Sequence, residues 1–367
     1  MDRDGAAGAA GRASGTETVA GDASRFGVFL PSYIWEGDGQ ERVAGLLDFA
    51  REVERLGFDS IFITDHVIAA KHFYDVSWLD SLTTLTFVAA VTERVRLGTS
   101  ILIAPLRHPV ILAKQIATLE YLSRDRYIVG AGVGWYEPEF EAVGTHKSER
   151  GARTDEVLDI LTGLLTQERF SYDGRFYRIQ DVSIDPRPAH MPPIWIGGGS
   201  QLVSDKSPEP PRFAKSVMAR VARSQGWIPR PTSPPEQIAS DWAQLQGYLR
   251  EQGRDPADIT VMHENFLHFV DSADRERVLR EQHAAYKRVM SEARGDDYLE
   301  SVYLFGTPDE IVAKLQARVD AGVEYFVLHT MTPDPRQLET WLRRIVPNVR
   351  FPIRRTAAER STAGVAG

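Results

Sequence analysis

A carboxylate and an imidazole stand next to each other where an apolar segment of the chain ends. Asp65 and His66 follow residues 60–64, which are rich in isoleucine and phenylalanine. An imidazole changes its charge near neutral pH, so this pair could transfer a proton or bind the edge of a ring. A histidine is more often structural, and the spacing alone leaves both interpretations open.

Three glycines and a serine follow a second apolar segment. Gly197, Gly198, Gly199 and Ser200 come directly after the Pro-Pro-Ile-Trp-Ile sequence. Backbone amides and a hydroxyl in such a turn can surround an anion, so the segment is a candidate phosphate site. A flexible turn without a ligand is the alternative.

Alternate glycines mark the end of a third apolar segment. Gly130, Gly132 and Gly134 leave flat space beside the backbone, which a planar ring would need, although tight packing would need the same spacing. The segment lacks the pattern of a dinucleotide-binding fingerprint. Thr99 and Ser100 interrupt a further apolar run, where a pair of hydroxyls is frequently a hydrogen-bonded core group.

These segments belong to an alternating pattern of short and long elements. Eight short runs rich in Val, Ile and Phe predict strands, and eight longer stretches of helical period predict helices. The count favours an α/β fold of the (β/α)8 TIM-barrel type, whose active sites lie at the carboxyl ends of the strands. An open doubly wound sheet is the alternative.

Two segments are longer than the simple connections of a barrel. Residues 170–188 predict a β-hairpin inserted after the fourth strand, and residues 201–213 predict a second insertion after the fifth strand. We expect both insertions at the carboxyl ends of the strands. Residues 1–24 and 354–367 contain few bulky apolar side chains and predict disordered tails around one domain over residues 25–353.

Composition narrows the classes of function. The formal net charge is −8, which argues against a dedicated nucleic-acid-binding protein. Cysteine is absent, which excludes disulfides, thiolate metal sites and cysteine nucleophiles and suits a cytoplasmic location. No uninterrupted apolar stretch reaches the roughly 18 residues of a membrane span.

Taken together, these segments resemble those of the luciferase-like flavin-dependent oxidoreductases, the bacterial luciferase class. The resemblance extends from about residue 26 to residue 347. The segments that carry it are Gly57-Phe58-Asp59-Ser60, Asp65-His66, residues 92–100, Arg107-His108-Pro109, residues 113–119, residues 132–135 and residues 193–198.

The resemblance implies a TIM barrel that binds a reduced flavin or deazaflavin across the carboxyl ends of its strands. Asp65 and His66 would face the ring as catalytic residues. Ser100 and Ile101 would match the place where many members of the family have a non-prolyl cis peptide against the ring. The other cofactor-binding residues it implies are Gly132 and Gly134 beside the ring, and Gly197, Gly198, Gly199 and Ser200 around the phosphate.

The cofactor implied by the resemblance is coenzyme F420 or FMN. The Asp-His pair and the Arg107-His108-Pro109 helix start look more like the F420 branch, because FMN monooxygenases more often have a Glu-His-His cluster. F420 is therefore favoured, with hydride transfer to or from a small organic substrate. The alternative is a two-component FMN monooxygenase that uses O2. A flavin or F420 reductase would supply the reduced cofactor, and the family allows a homodimer.

Two positions argue against a sugar phosphate as substrate. Members that oxidise glucose 6-phosphate have a Glu where this chain has Trp135 and a Trp where it has Ala70. Aromatic residues such as Phe73, Tyr74 and Trp78 indicate an apolar or aromatic substrate, unless they are ordinary core. A metal-dependent hydrolase and a non-catalytic binding barrel are the remaining alternatives. The histidines lack a tight His-x-His pair in the first strand, so we predict no metal.

Overall fold

Eight parallel strand positions close into a ring in the computed structural model, which describes residues 18–33, 38–70, 73–200, 212–291 and 295–353. The strands of the described chain are β1 (Thr18–Ala20), β2 (Phe26–Phe29), β3 (Ser60–Ile63), β4 (Arg96–Thr99), β5 (Leu102–Ile103), β6 (Tyr127–Gly132), β7 (Phe170–Asp173), β8 (Arg178–Val182), β9 (Ile194–Gly197), β10 (Gly226–Ile228), β11 (Thr260–Phe266), β12 (Tyr325–His329) and β13 (Arg350–Pro352).

The ring follows chain order from β2 to β12 and closes where these two strands pair. The third position is interrupted at Ser100 and Ile101, so β4 forms its first part and β5 its second. The apolar run that Thr99 and Ser100 interrupt thus forms two short strands. The predicted (β/α)8 TIM barrel is confirmed.

Helices surround the ring. In the described residues they are α1 (Gly39–Arg55), α2 (Ser81–Val91), α3 (Pro109–Ser123), α4 (Glu137–Ala142), α5 (Arg150–Thr166), α6 (Lys215–Val221), α7 (Pro235–Glu251), α8 (Arg275–Tyr286), α9 (Asp296–Val302), α10 (Pro308–Asp320) and α11 (Arg336–Arg344). These are more than the eight helices predicted, and α4, α6 and α9 are the shortest of them. None of the described helices has the length and hydropathy that crossing a membrane requires.

Side chains fill the centre of the ring. Phe29, Phe62, Trp195, Met262 and Tyr325 belong to one buried cluster inside the barrel, and a larger apolar layer separates the strands from the helices. The barrel interior is therefore packed core rather than a channel. A binding or catalytic site therefore has to lie outside this core, at one end of the barrel.

Local signals in the sequence coincide with helix ends. Thr307 precedes α10, and a capping box joins its side chain and that of Glu310 to the backbone of the first turn. Gly57 and Gly322 follow α1 and α10 with φ of +82° and +106°. This left-handed region costs glycine little, which explains why these helices end there.

Part of the predicted N-terminal tail forms a strand. Thr18–Ala20 pairs antiparallel with Arg350–Pro352. The predicted tail over residues 1–24 is therefore wrong for residues 18–24, because a partner strand distant in sequence supplies hydrogen bonds that composition does not reveal. Residues 1–17 and the predicted tail over 354–367 lie outside the described residues.

The hairpin predicted over residues 170–188 is present as β7 and β8, but it leaves from the other end of the barrel. It follows the carboxyl end of α5, a helix that returns antiparallel to the strands. The hairpin then folds back along α5, where the carboxylate of Glu156 accepts hydrogen bonds from the amides of Arg175, Phe176 and Tyr177. Of the second predicted insertion, residues 201–211 lie outside the described residues.

Candidate active site

A cavity of about 430 Å³ lies at the carboxyl ends of the barrel strands. Seven of the ten predicted site residues line it: Asp65, His66, Ser100, Ile101, Gly134, Gly197 and Gly198. Gly132, Gly199 and Ser200 do not line it. Much of the remaining wall is aromatic, from Phe73, Tyr74, Trp78, Trp135, Phe266, Tyr298 and Tyr303. A wider depression of about 750 Å³ beside the end of α5 contains none of the ten.

His66 is held by a glutamate that the sequence analysis did not single out. Glu139 of α4 is fully buried, and its Oε1 lies 3.1 Å from His66 Nδ1 and accepts a hydrogen bond from Val67 N–H at 2.7 Å. A carboxylate in this place favours the tautomer that carries the proton on Nδ1. Nε2 has no partner among the described residues, so it can accept or return a proton.

Aromatic rings surround this imidazole. The ring centroids of Tyr74, Trp78 and Trp135 lie 5.9, 5.3 and 5.9 Å from that of His66. Such rings restrict the position of the imidazole and present apolar faces to the cavity. A proton-transfer group is thus placed against a surface that suits an apolar ligand.

Hydrogen-bond donors of the protein surround the Asp65 carboxylate. Its carboxylate accepts two hydrogen bonds from the guanidinium of Arg107, at 2.7 and 2.8 Å, one from Ser81 Oγ and one from Ile103 N–H. An ionised carboxylate has about four acceptor positions, and all are used. Asp65 thus positions the segments around His66, and its role as a catalytic residue facing a ring stays a prediction.

Ser100 and a buried glutamate form a second polar group in the cavity. Ser100 Oγ donates a hydrogen bond to Glu264 Oε2 of β11, and both residues line the cavity. Burial raises the pKa of Glu264 to about 7, although the Ser100 hydroxyl opposes this shift. The carboxyl can therefore change its protonation state near neutral pH. No motif singled out in the sequence contains Glu264.

A second histidine on the cavity wall stays uncharged near neutral pH. His329 stacks between Phe29 and Phe266, with ring centroids 3.8 and 4.4 Å away and interplanar angles of 7° and 9°. Burial lowers its pKa to about 3. It stays neutral near pH 7 and serves as a flat wall, which leaves His66 as the imidazole suited to proton transfer in this cavity.

The model of the luciferase-like monooxygenase family matches residues 24–325. The chain belongs to this family. The resemblance stated from the sequence segments is thus confirmed, and the cavity described above is the candidate active site of a luciferase-like protein.

Curated relatives are similar over part or most of the chain. The F420-dependent glucose-6-phosphate dehydrogenase of Kineococcus radiotolerans is 37% identical over 163 residues, which are 43% of this chain and 48% of that protein. The enzyme of the same name from Nakamurella multipartita is 29% identical over 333 residues, 83% of this chain and 92% of that protein. The chain thus spans about half the length of the first relative and most of the second.

Solved structures share the fold at low identity. Monooxygenase RslO1 from Streptomyces bottropensis superposes with a TM-score of 0.73 at 22% identity, over 88% of this chain and 99% of that one. An F420-dependent secondary alcohol dehydrogenase superposes with a TM-score of 0.72 at 18% identity, over 89% of this chain and 99% of that one. At these sequence identities the similarity shows a shared fold only.

The family feature expected at Ser100 and Ile101 is present, since their peptide bond is cis. The Ile101 side chain occupies the space that two predicted ring-binding or phosphate-binding glycines leave open. A Cβ at Gly132 would lie 1.9 Å from Ile101 Cδ1, and one at Gly197 would lie 2.7 Å from its Cγ2. Gly132 thus accommodates the Ile101 side chain where its own Cβ would lie, and its contact with a ring stays a prediction.

Neighbouring side chains also fill the space beside Gly134, although this glycine lies on the cavity wall. A Cβ there would meet Ile103 Cγ2 at 2.6 Å, and the residue has φ of +72°. The space beside its backbone is already filled on that side. The contact of Gly134 with a ring therefore stays a prediction for the face that borders the cavity.

Gly132→Ala should destabilise this luciferase-like protein by about 1–3 kcal/mol, because the new methyl group overpacks against Ile101. Adding Ile101→Val removes Cδ1 and leaves Cγ1 of residue 101 as the nearest neighbour of the new Cβ, at 3.1 Å, so the double variant should regain most of the loss. Urea unfolding of the single and double variants measures both effects. Equal midpoints for wild type and Gly132→Ala would contradict this packing role.

The predicted phosphate cradle is partly filled by the protein itself. Ser200 donates hydrogen bonds from its amide and its hydroxyl to the buried carboxylate of Asp241 in α7, and Gly198 N–H donates to Ile228 O. These donors are no longer available to an anion, and a carboxylate beside them would repel one. The contact of Ser200 with a phosphate stays a prediction, and it would require these two hydrogen bonds to Asp241 to be exchanged.

Arg230 places a positive charge on this side of the cavity. It follows β10, lines the cavity and is exposed, and its Nη1 lies 3.4 Å from Ser200 O. Among the described lining residues it is the only Lys or Arg. The sequence analysis missed it, although an arginine just after a barrel strand is itself a signal.

Metal chemistry finds no support in the arrangement. Within the described ranges, no group of three or more His, Asp or Glu side chains is placed to hold a metal ion. His66 and His329 are the histidines on the cavity wall, and each is engaged by its neighbours as described. The cavity thus combines the imidazole of His66 with a largely aromatic wall.

Proposed function

We propose that this protein uses coenzyme F420 to transfer a hydride to or from a small apolar or aromatic organic substrate. The observation that carries the proposal is His66, which Glu139 orients within an aromatic cavity of the luciferase-like barrel. The names of the relatives, which are F420-dependent glucose-6-phosphate dehydrogenases, support the choice of F420. A deazaflavin supplies hydride chemistry when it is bound.

The cavity has residues that fit such a cofactor. Its volume of about 430 Å³ lies within the range of small-molecule sites. Ser100 and Ile101 would support the ring, and the free oxygen of Glu264 offers a hydrogen-bond partner in the floor. Gly197, Gly198 and Gly199 stay candidate neighbours of the phosphate, with Arg230 as its counter-charge.

His66 would handle the substrate proton. In the oxidation of an alcohol, a hydride would pass from the substrate carbon to a bound deazaflavin, and the hydroxyl proton would pass to Nε2 of His66. In the reverse direction the same nitrogen returns the proton to the oxygen. Glu139 stabilises the positive charge that the imidazole acquires, because its carboxylate lies against Nδ1.

The charges of the wall favour a substrate without a phosphate. A sugar phosphate needs cationic groups, and Arg230 is the only Lys or Arg among the described lining residues. The same arginine is assigned to the cofactor phosphate. Tyr74, Trp78 and Trp135 offer apolar faces instead, so an alcohol, ketone or ring compound of that character is the proposed substrate.

FMN is the second candidate, because its ring and ribityl phosphate would meet the same residues. The protein would then be the oxygenase component of a two-component monooxygenase and would use O2. A flavin or F420 reductase as supplier of the reduced cofactor, and a homodimer as the assembly, stay part of the proposal for either cofactor.

Titration with reduced F420 and reduced FMN tests this choice. We expect tighter binding of F420 than of FMN at low salt, because only F420 has a charged tail beyond the phosphate that can pair with cationic groups. Such exposed charge pairs are screened by salt, so the difference in affinity should narrow as the salt concentration rises. Equal or tighter FMN binding together with oxygen-dependent product formation would replace the proposal by the monooxygenase.

Arg230→Gln should weaken the binding of either cofactor about tenfold at low salt, equivalent to about 1.4 kcal/mol. The loss arises because the phosphate would lose its cationic neighbour. Arg223→Gln is the matched control, since Arg223 is exposed and pairs with Asp155 and Asp159 outside the cavity. Similar affinities for the two variants would place the phosphate away from Arg230.

A further inference from the structure

Glu264 reaches across the mouth of the barrel. It lies on β11, the seventh strand position, and accepts a hydrogen bond from Ser100, which follows the third position. The third and seventh positions are opposite each other in the ring of eight. Met262 lies two residues before Glu264 on the same face of β11 and belongs to the buried cluster inside the barrel. The Glu264 carboxyl therefore lies just above that cluster, in the floor of the cavity.

One oxygen of this carboxyl is free. Oε2 accepts the Ser100 hydroxyl, whereas Oε1 has no hydrogen-bond partner in the described part of the chain, and Glu264 is partly open to the cavity. A half-buried carboxyl with one oxygen that no protein donor contacts is costly as an anion, because only the little water left in the cavity can solvate that oxygen. Protonation removes that cost and turns the group into a donor.

Neighbouring charges do not hold the carboxylate ionised. The pKa of about 7 reflects burial, with the Ser100 hydroxyl as the opposing influence. Asp65 is neutralised by Arg107, and His329 is uncharged near neutral pH. The titratable or charged side chains that line the same cavity are Asp65, His66, Tyr74, Arg230, Tyr298, Tyr303 and His329.

We propose that Glu264 is a ligand-binding acid, which must carry a proton for a planar ring to bind over Ser100 and Ile101. The inference rests on the proposed function, because it takes the ring to be that of F420 or FMN. A ring that covers the floor excludes the remaining water from the carboxyl and so disfavours its ionised form further. Binding above neutral pH therefore takes up one proton.

The affinity of the wild-type protein should depend on pH. We expect the affinity for oxidised F420 to be constant below about pH 7 and to fall by up to about tenfold per pH unit above it. FMN is the second probe. Fluorescence titration from pH 6 to 9 measures the profile, and calorimetry in buffers of different ionisation enthalpy counts the protons taken up.

Two variants assign the effect to this carboxyl. Glu264→Gln keeps the shape without the titration, so its affinity should lack the fall above pH 7, and any titration of the ligand itself appears equally in both proteins. Ser100→Ala removes the hydrogen bond that lowers the pKa of Glu264, so the fall should begin at higher pH. A profile shared by wild type and Glu264→Gln, or affinity that rises with pH, would overturn the proposal.

A measurement without ligand separates this proposal from the proposed function. Because the pKa is raised in the folded protein, the carboxyl should make stability fall as pH rises from about 4.5 to about 7, and Glu264→Gln should lack that contribution. Equal pH dependence of the urea midpoints of wild type and Glu264→Gln would count against the raised pKa.

The outcomes of the two measurements separate the two proposals. If the urea midpoints differ as expected but wild type binds neither cofactor, the proposed function is rejected. If Glu264→Gln does not fold, an unmoved profile in Ser100→Ala overturns the inference.

Discussion

Replacing His66 by alanine should lower kcat by about 10²- to 10⁴-fold, the usual contribution of a positioned acid–base group. Cofactor affinity should change much less, because His66 lies on the aromatic wall and Arg230 and the Ser100–Ile101 floor stay in place. Steady-state turnover together with cofactor titration separates the two effects. Added imidazole should restore part of the lost turnover, since it can occupy the space that the substitution opens.

Two further variants show whether the effect belongs to the dyad. Glu139→Gln should lower kcat less than His66→Ala, because the imidazole remains but loses its charged partner on Nδ1. His146→Ala removes an exposed histidine outside the cavity and should leave turnover unchanged. Full turnover in His66→Ala would show that this histidine is structural.

Asp65→Ala should destabilise the protein by about 3–5 kcal/mol, the cost of leaving one partner of a buried ion pair alone. The Asp65 side chain is fully buried and that of Arg107 is 15% exposed. The substitution leaves the guanidinium without its carboxylate and the amide of Ile103 without its acceptor. Urea unfolding measures the loss.

A double variant and a surface variant complete this test. Asp65→Ala combined with Arg107→Met removes both charges, so it should lose less stability than the single substitution. Asp48→Ala breaks an exposed pair with Arg51 on α1 and should leave the midpoint nearly unchanged. Equal losses for Asp65→Ala and Asp48→Ala would contradict the role assigned to the buried pair.

Glycine patterns located the site but not the contacts within it. The spacing at Gly132 and Gly197 marked the strand ends that border the cavity, yet the space is filled by Ile101. The turn at Ser200 looked like a phosphate cradle, and its donors are satisfied by Asp241. A glycine shows only that a side chain would clash, and the clashing neighbour is fixed by a strand elsewhere in the chain.

The acid–base pairs show the same limit. His66 was selected because its chemistry is visible in one residue, whereas Glu139 and Glu264 are 73 and 164 positions from the residues they bind. Neither is part of a short motif. Their roles depend on burial and on which atoms face each other, and a linear pattern of residue types contains neither quantity.

The sequence by itself determined the barrel and the end of it that carries the chemistry, because the alternation of apolar runs and helical periods is local and is repeated along the chain. The tertiary structure decided which polar groups are free. Asp65 forms an ion pair with Arg107, and Ser200 donates hydrogen bonds to Asp241. Glu264 keeps one oxygen without a hydrogen-bond partner among the described residues. Hydrogen bonds and burial across the barrel create these differences, since they join strands that are distant in the chain and adjacent only when the ring closes.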